Sequence, residues 1–124
     1  MECPKCSSTM EAVSFGSYEV KRCSQCKGLW FHNFEQEVLK AIPHSEDIDI
    51  GDPAQGKELN KMDKITCPEC HGQMIRMVAR DQPHIWFESC VSCYGAFFDA
   101  GEFRDYKDET LADYFKDLFS GERQ

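Results

Sequence analysis

The fold is decided by a short stretch in the first third of the chain, Cys23-Ser-Gln-Cys26-Lys-Gly28-Leu-Trp30-Phe31. The same order of residue types returns later as Cys90-Val-Ser-Cys93-Tyr-Gly95-Ala-Phe97-Phe98. In both stretches a C-x-x-C pair is followed by a glycine two positions on, and then by two aromatic residues. An earlier C-x-x-C pair accompanies each stretch, and these pairs are Cys3/Cys6 and Cys67/Cys70. The four pairs together use all eight cysteines of the 124-residue chain.

The chain therefore contains an internal repeat, with residues 2–42 and 66–107 as two copies of one plan. Sixteen residues separate the two cysteine pairs of the first copy, and nineteen separate those of the second. Both gaps fall within the roughly 15–20 residues that are typical of a zinc ribbon. The repeat predicts two small units of the same architecture.

The middle of each copy predicts a β-hairpin. In the first copy, strands over residues 11–15 and 18–23 flank Gly16-Ser17, a two-residue loop with glycine where a tight turn needs a positive φ. In the second copy, strands over residues 74–80 and 85–90 flank a longer connection, which accounts for the difference in length.

A short helix is predicted after each second cysteine pair. Asn33 is the expected N-cap in the first copy, with Gln36 three residues on, and Asp99 with Glu102 has the same spacing in the second. Capping also explains Asp99 and Glu102 more simply than a role as general acid and base.

The spacing of the cysteines predicts metal ligation. A C-x-x-C turn places two sulfurs on one side of a tight loop, about as far apart as a tetrahedral ion requires. A unit of ~40 residues buries too little apolar surface to fold unaided, and structural zinc supplies an apparent ~10–16 kcal/mol. We expect two zinc ions, with iron as the alternative because a rubredoxin-like cage uses the same four sulfurs. The predicted ligands are Cys3, Cys6, Cys23 and Cys26 for one ion and Cys67, Cys70, Cys90 and Cys93 for the other.

Each ion is expected to take its ligands from one copy, because each copy repeats the whole plan. The alternative is a cross-braced arrangement in which Cys3/Cys6 join Cys67/Cys70 and each hairpin stays open at its end.

The motif Cys-Pro-x-Cys-x-x-x-Met, followed by Cys-x-x-Cys-x-Gly-x-aromatic-aromatic, resembles the zinc-finger family of transcription-factor-IIB type, the bacterial zf-TFIIB-like ribbons. The resemblance occurs twice and covers about two-thirds of the chain. The second copy keeps the full tail of the motif, Asp99-Ala-Gly101-Glu102, whereas His32 and Phe34 replace the Asp and the Gly in the first. The resemblance implies zinc ribbons and does not by itself imply a role in transcription.

The predicted fold is a small metal-stabilised α+β protein with two tandem zinc ribbons and a C-terminal amphipathic helix. The domains are a first ribbon over residues 1–42, an acidic linker over 43–64 with one helical turn near 57–62, a second ribbon over 65–107, and a helix over 108–124. The apolar face of that helix either covers the second ribbon or forms an interface. Its members are Leu111, Tyr114, Phe115, Leu118 and Phe119.

The charge distribution bears on partners. The net charge is −8, which disfavours non-specific binding to phosphate backbones. One basic cluster, formed by Lys5, Lys21, Arg22 and Lys27, keeps nucleic acid open as a partner. The four histidines are expected at the surface. The paired aromatics Trp30, Phe31, Phe97 and Phe98 are expected to pack under the metal sites or against the hairpins, with partner binding as the alternative. Trp86 and Phe87, neighbours in a strand, should point to opposite faces.

The predicted function is that of a non-catalytic protein whose zinc ribbons act as a protein-interaction or self-association module. Four thiolates leave no open coordination position for catalysis, so an enzyme is not expected. The alternatives are a transcription-associated nucleic-acid binder and a zinc–thiolate redox sensor. Without a signal peptide or an apolar run of ~20 residues, the sequence predicts a cytoplasmic protein with no membrane contact and no small-molecule substrate.

Overall fold

The computed structural model describes residues 1–62, 64–79 and 82–107. The predicted C-terminal helix over 108–124 lies outside the described residues. Six strands and a few short helices follow one another along the chain. They are β1 Met10–Phe15, β2 Tyr18–Cys23, β3 Leu29–Phe31, α1 Glu35–Lys40, a 3₁₀ helix Ser45–Ile48, α2 Pro53–Asn60, β4 Met74–Ala79, β5 Gln82–Cys90, β6 Ala96–Phe98 and α3 over residues 102–107.

All six strands form one antiparallel sheet in the order β1-β2-β3-β6-β5-β4. Each copy of the repeat contributes three strands, and the two copies join where β3 pairs with β6, with Trp30 opposite Phe97. The sequence predicts only the two hairpins and misses these third strands. Their signal is a triplet of apolar residues directly after the glycine, since a short strand buried on both faces reads as a continuous apolar run.

The predicted first hairpin agrees closely with the observed one. Strand β1 pairs with β2 from Met10/Cys23 to Phe15/Tyr18, and Gly16 has the expected positive φ of 60°. The second hairpin differs: β5 begins at Gln82 rather than at residue 85, and its register with β4 shifts between Val78 and Ala79.

Successive side chains of a strand point to opposite faces of the sheet, so each strand contributes side chains to the packing on both faces. One face carries an aromatic and aliphatic core to which α1, the 3₁₀ helix and α3 contribute Leu39, Ile48 and Phe103. The opposite face carries seven of the eight cysteines, all but the exposed Cys70, together with Trp30, Phe97 and the methionines that follow the first cysteine pairs, Met10 and Met74. Trp86 and Phe87 do point to opposite faces, with Phe87 stacked on Phe98 at 4.6 Å between ring centroids.

Residues 43–62 are folded against both ribbons rather than extended as a polar linker, since Gly51 lies close to Lys27 and Gly56 lies close to Ala100. It contains an eight-residue helix, α2, which Asp52 caps by accepting from the Ala54 N–H at 3.0 Å. At Gly56 the helix lies so close to the ribbon that an added Cβ would be 2.0 Å from the Ala100 carbonyl oxygen. The single helical turn expected near residues 57–62 is thus a longer helix that begins earlier. The domain boundaries themselves stay a prediction.

Both predicted helix caps are wrong. Helix α1 begins at Glu35 with Phe34 at the N-cap in the left-handed region and with no side-chain cap. At α3 the cap comes from the linker, where Asp49 accepts from the N–H groups of Gly101 and Arg104, each at 2.9 Å. Burial is the main cause that raises the pKa of Asp49, and these two N–H groups oppose it. The Asp99 side chain does not cap α3 and instead accepts a hydrogen bond from Lys5.

Candidate metal centres

All four cysteine pairs adopt the same turn. The N–H of the first cysteine donates to the carbonyl five residues on, for example Cys23 to Gly28 at 2.9 Å and Cys90 to Gly95 at 2.9 Å. The residue after the second cysteine has a positive φ in every pair, between 63° and 66°. These four residues are Ser7, Lys27, His71 and Tyr94. Glycine would adopt this conformation without strain.

The first cluster brings together the four predicted ligands of the first copy. The Cys3 and Cys26 sulfurs lie 3.7 Å apart, and those of Cys6 and Cys23 lie 3.3 Å apart. All four lie within 4.8 Å of one another. A zinc ion bound by four sulfurs at about 2.3 Å places them about 3.8 Å apart, so the cluster fits a tetrahedral ion.

The second cluster has the same geometry. The Cys67 and Cys93 sulfurs lie 3.6 Å apart, and those of Cys70 and Cys90 lie 3.4 Å apart. Each cluster draws on one copy only, so the cross-braced alternative is wrong. The second cluster is the more accessible one, since Cys70 is exposed whereas only Cys6 of the first cluster is even partly exposed.

Backbone N–H groups in both clusters point at sulfur, as a thiolate site requires. Those of Gln25 and Cys26 lie 3.4 Å from the Cys23 sulfur. Burial opposes ionisation of Cys90, but the N–H groups of Cys93 and Ser92, together with hydrogen bonds from the Cys70 and Cys93 thiols, lower the pKa of Cys90 to about 6. In the first cluster, a hydrogen bond from the Cys26 thiol lowers the pKa of Cys3 to about 5 and raises that of Cys26. The donor set therefore suits a divalent cation.

Comparison with protein families gives one match, to the family described as transcription factor zinc-finger, over residues 2–42 and 66–109. The chain belongs to this zinc-finger family. The two matched segments cover more than half of the chain and coincide with the two copies of the repeat. Neither the curated proteins nor the solved structures compared with the chain contain a match.

Two four-cysteine clusters in a zinc-ribbon family are consistent with two zinc ions. All eight predicted ligands lie in these clusters, four in each. Direct coordination of an ion by these particular side chains stays a prediction.

In this family member the second cysteine turn of each ribbon packs against an aromatic side chain of the other ribbon. A Cβ on Gly28 would lie 2.3 Å from the Phe97 ring, and a Cβ on Gly95 would lie 2.2 Å from the Trp30 ring. Both rings are at most 1 % exposed. One aromatic of each pair, Trp30 or Phe97, packs with the cysteines as expected and contacts the other ribbon. The second of each pair, Phe31 or Phe98, lies in the core on the opposite face of the sheet.

A buried ionic network also crosses that junction. The Lys5 ammonium, on the first zinc turn, lies 2.7 Å from Asp99 Oδ2 and 3.0 Å from Glu88 Oε1 of the second ribbon. It also donates to the Leu59 carbonyl at 3.0 Å, and Asn60 donates to the same Asp99 oxygen at 2.9 Å. Burial is the largest cause that raises the pKa of Asp99, while Lys5 opposes it. Asp99 therefore joins the ribbons and does not cap a helix.

The equivalent pair on the other side of the junction has its acidic and basic residues exchanged. Glu69 occupies the position of Lys5 in the second copy, and His32 occupies that of Asp99 in the first. The Glu69 carboxylate lies 3.0 Å from His32 Nδ1 and accepts from Trp30 Nε1 at 2.9 Å. The first copy has His32 where the second has Asp99, and the second copy has Glu69 where the first has Lys5. The two changes together keep one acidic and one basic residue in each pair.

The predicted basic cluster does not form a surface patch. The Lys5 side chain is fully buried, and Arg22 donates to the Ile48 carbonyl at 3.1 Å. Lys21, next to Arg22 in β2, points to the opposite face and lies 3.6 Å from Glu19. His32, His44 and His71 are exposed as expected, and none belongs to a metal cluster among the described residues.

No helix in the described part of the chain is long and apolar enough to cross a membrane.

Proposed function

We propose that the chain is a non-catalytic zinc protein whose two ribbons form one rigid platform for contact with another protein or with a second copy of itself. The observation that carries this proposal is the number of sulfurs at each cluster. Four thiolates complete a tetrahedral shell and leave no position for water or substrate, whereas catalytic zinc keeps one open. We therefore assign the ions a structural role, which is to stabilise the two ribbons of the platform.

The junction between the ribbons supports a single platform. Strand pairing, the two glycine–aromatic contacts and the Lys5 network all act across it. A surface that spans both ribbons keeps its shape because neither ribbon moves without breaking these contacts.

The test uses the zinc-loaded full-length chain in two measurements. Light scattering across a concentration series detects self-association, and cross-linking followed by mass spectrometry in the source cells detects a protein partner. The control is the chelator-treated chain, whose surface is lost with the fold. The proposal would be overturned if the zinc-loaded chain is monomeric and cross-linking finds no protein whose capture depends on zinc.

Binding to nucleic acid has less support. Of the four basic residues that favoured it, Lys5 is buried, and Arg22 and Lys21 point to opposite faces of the sheet. Fluorescence polarisation with single- and double-stranded DNA at about 50 mM and about 200 mM salt tests it. We expect weak binding at both concentrations, and a steep dependence on salt would favour this alternative.

The exposure of Cys70 favours a redox sensor as the second candidate function. Oxidation of thiolates follows their accessibility. Hydrogen peroxide would join two thiolates of the second cluster as a disulfide, be reduced to water, and release the zinc ion. A colorimetric zinc indicator should then record one equivalent released well before the other, whereas equal resistance of both clusters would dismiss this candidate.

A further inference from the structure

The rings of Phe34 and Tyr94 stack on each other at the surface, one from each ribbon. Their centroids lie 5.3 Å apart with planes inclined by 15°, and the two residues are 52 % and 50 % exposed. Val38, one helical turn beyond Phe34 on the outer side of α1, is 44 % exposed. We refer to Phe34, Val38 and Tyr94 as the aromatic patch.

The backbone at Phe34 is one that disfavours a large side chain. Its φ is 67°, in the left-handed region, where a bulky residue is strained. The second ribbon has Gly101 at the same position of the repeat, with φ of 87°. The first ribbon thus carries an exposed aromatic ring at the position where the second ribbon has glycine. Strain of this kind is typical of functional sites.

The charges around the aromatic patch are mainly negative. Glu35 and Glu37 lie on α1 beside Phe34, and Glu69 lies beside Trp30, whose ring packs on Gly95 next to Tyr94. Lys40 lies 3.0 Å from Glu37, and His32 Nδ1 lies 3.0 Å from Glu69. Lys21 lines the same cavity as Glu19, Glu35 and Glu69. The four carboxylates therefore outnumber the two lysines. The patch therefore offers exposed aromatic rings and carboxylates to a partner.

We propose that the aromatic patch binds a segment of another protein in which an arginine or lysine neighbours a large aliphatic residue. This inference rests on the proposed function and names the surface and the partner chemistry. A cation stacks on an exposed aromatic face and is attracted by the carboxylates, while the aliphatic residue packs on Val38 and the ring edges. Exposed aromatic residues are also common at the centres of protein interfaces.

The chain itself shows that its aromatic rings accept cations in this way. Lys40 Nζ lies 4.5 Å from the Tyr106 ring centroid, and Arg76 lies 5.1 Å from that of Trp86. A nucleobase would also stack on Phe34 or Tyr94, but its phosphates would meet the carboxylates of Glu35, Glu37 and Glu69. Charge therefore favours a basic peptide.

The test is a peptide-display selection on the zinc-loaded full-length chain, with counter-selection against Phe34→Gly. That variant loses the ring but relieves the strained backbone, so it should fold and bind two zinc ions like the parent. The matched control is Ile75→Ser, which removes a side chain of similar exposure, 45 %, from strand β4 at the far edge of the sheet.

We expect the enriched peptides to pair arginine or lysine with leucine, isoleucine or methionine. Their affinity should fall about tenfold or more in Phe34→Gly and by less than about twofold in Ile75→Ser. Affinity should also fall as salt is raised.

Three outcomes would overturn the inference: no enrichment over Phe34→Gly, enrichment of acidic or uncharged sequences, or binding of single-stranded DNA that depends on Phe34. If the chain captures a cellular partner equally well with Phe34→Gly, the interaction function stands and only this surface is rejected. If the chain captures no partner and does not self-associate, the proposed function itself fails.

Discussion

The Lys5 ammonium lies 2.7 Å from the Asp99 carboxylate although the two residues belong to different ribbons. Both side chains are fully buried, and Glu88 is the second carboxylate that Lys5 neutralises, at 3.0 Å. The Cys3/Cys6 turn of the first ribbon is therefore joined to the second ribbon by an ion pair as well as by packing. We therefore expect the stability of each ribbon to depend on the presence of the other.

Replacement of Lys5 should destabilise the protein strongly. Lys5→Met keeps much of the side-chain volume but leaves two buried carboxylates without their cation, which costs about 3–5 kcal/mol. The measurement is urea unfolding of the zinc-loaded chain. Lys21→Met is the control, because its partially exposed pair with Glu19 should contribute at most about 1 kcal/mol. Equal effects of the two substitutions would contradict the role of the buried network.

Alanine at Gly28 or Gly95, the two glycines that contact an aromatic ring of the other ribbon, should destabilise the packing between the ribbons. Gly28→Ala and Gly95→Ala each force a Cβ into a buried aromatic ring of the other ribbon, and overpacking of this kind costs about 1–3 kcal/mol. Gly72→Ala is the control, since its nearest neighbour would be Ser92 Oγ at 3.4 Å. Thermal unfolding of the three variants checks the order, and a melt of Gly72→Ala as low as the other two would refute it.

Glu102 should make the stability depend on pH. Burial raises the pKa of Glu102 to about 7 from 4.5, and the negative charge of Asp99 adds to the effect. Between these values the folded chain binds more protons than the unfolded chain, so this group's contribution to stability falls as the pH rises. Glu102→Gln removes the charge, and the free energy of unfolding that it gains should increase from about pH 6 to about pH 8.

The measurement is urea unfolding of parent and Glu102→Gln at both pH values in excess zinc, so that metal loss does not contribute. A gain that is the same at both values would show that Glu102 titrates normally in the folded chain.

The cysteine clusters and the first hairpin follow from the sequence because they are local. Each cluster is set by two tight turns and one hairpin, and Gly16 marks the turn of β1 and β2 directly. The two cysteine clusters and the hairpin between their turns were therefore predictable from spacing, with the same chemistry at both sites.

The junction was not predictable because its contacts are long-range. Lys5 and Asp99 are 94 positions apart, and Asp49 caps α3 from 52 positions before Gly101. A local rule assigns Asp99 to a cap because the spacing to Glu102 is right, and it has no means of detecting a buried lysine that competes for the same carboxylate. The triplets of β3 and β6 were visible as apolar runs, but their pairing with each other was not.

Removal of zinc should unfold both ribbons together. The ions supply most of the stability of such small units, and the shared sheet couples them. Treatment with a strong chelator should abolish the far-UV circular dichroism spectrum of the sheet and the thermal transition, and zinc should restore both. Retention of the spectrum after complete removal of metal would mean that the apolar core alone holds the fold.

Native mass spectrometry of the freshly purified chain counts the ions bound per molecule and so tests directly whether two metal sites exist. We expect two zinc ions in the parent and one in Cys23→Ser or Cys90→Ser, since each substitution opens one cluster only. One ion or none in the parent, or a mass lower by the hydrogens lost to disulfides, would contradict two four-thiolate sites built within separate ribbons.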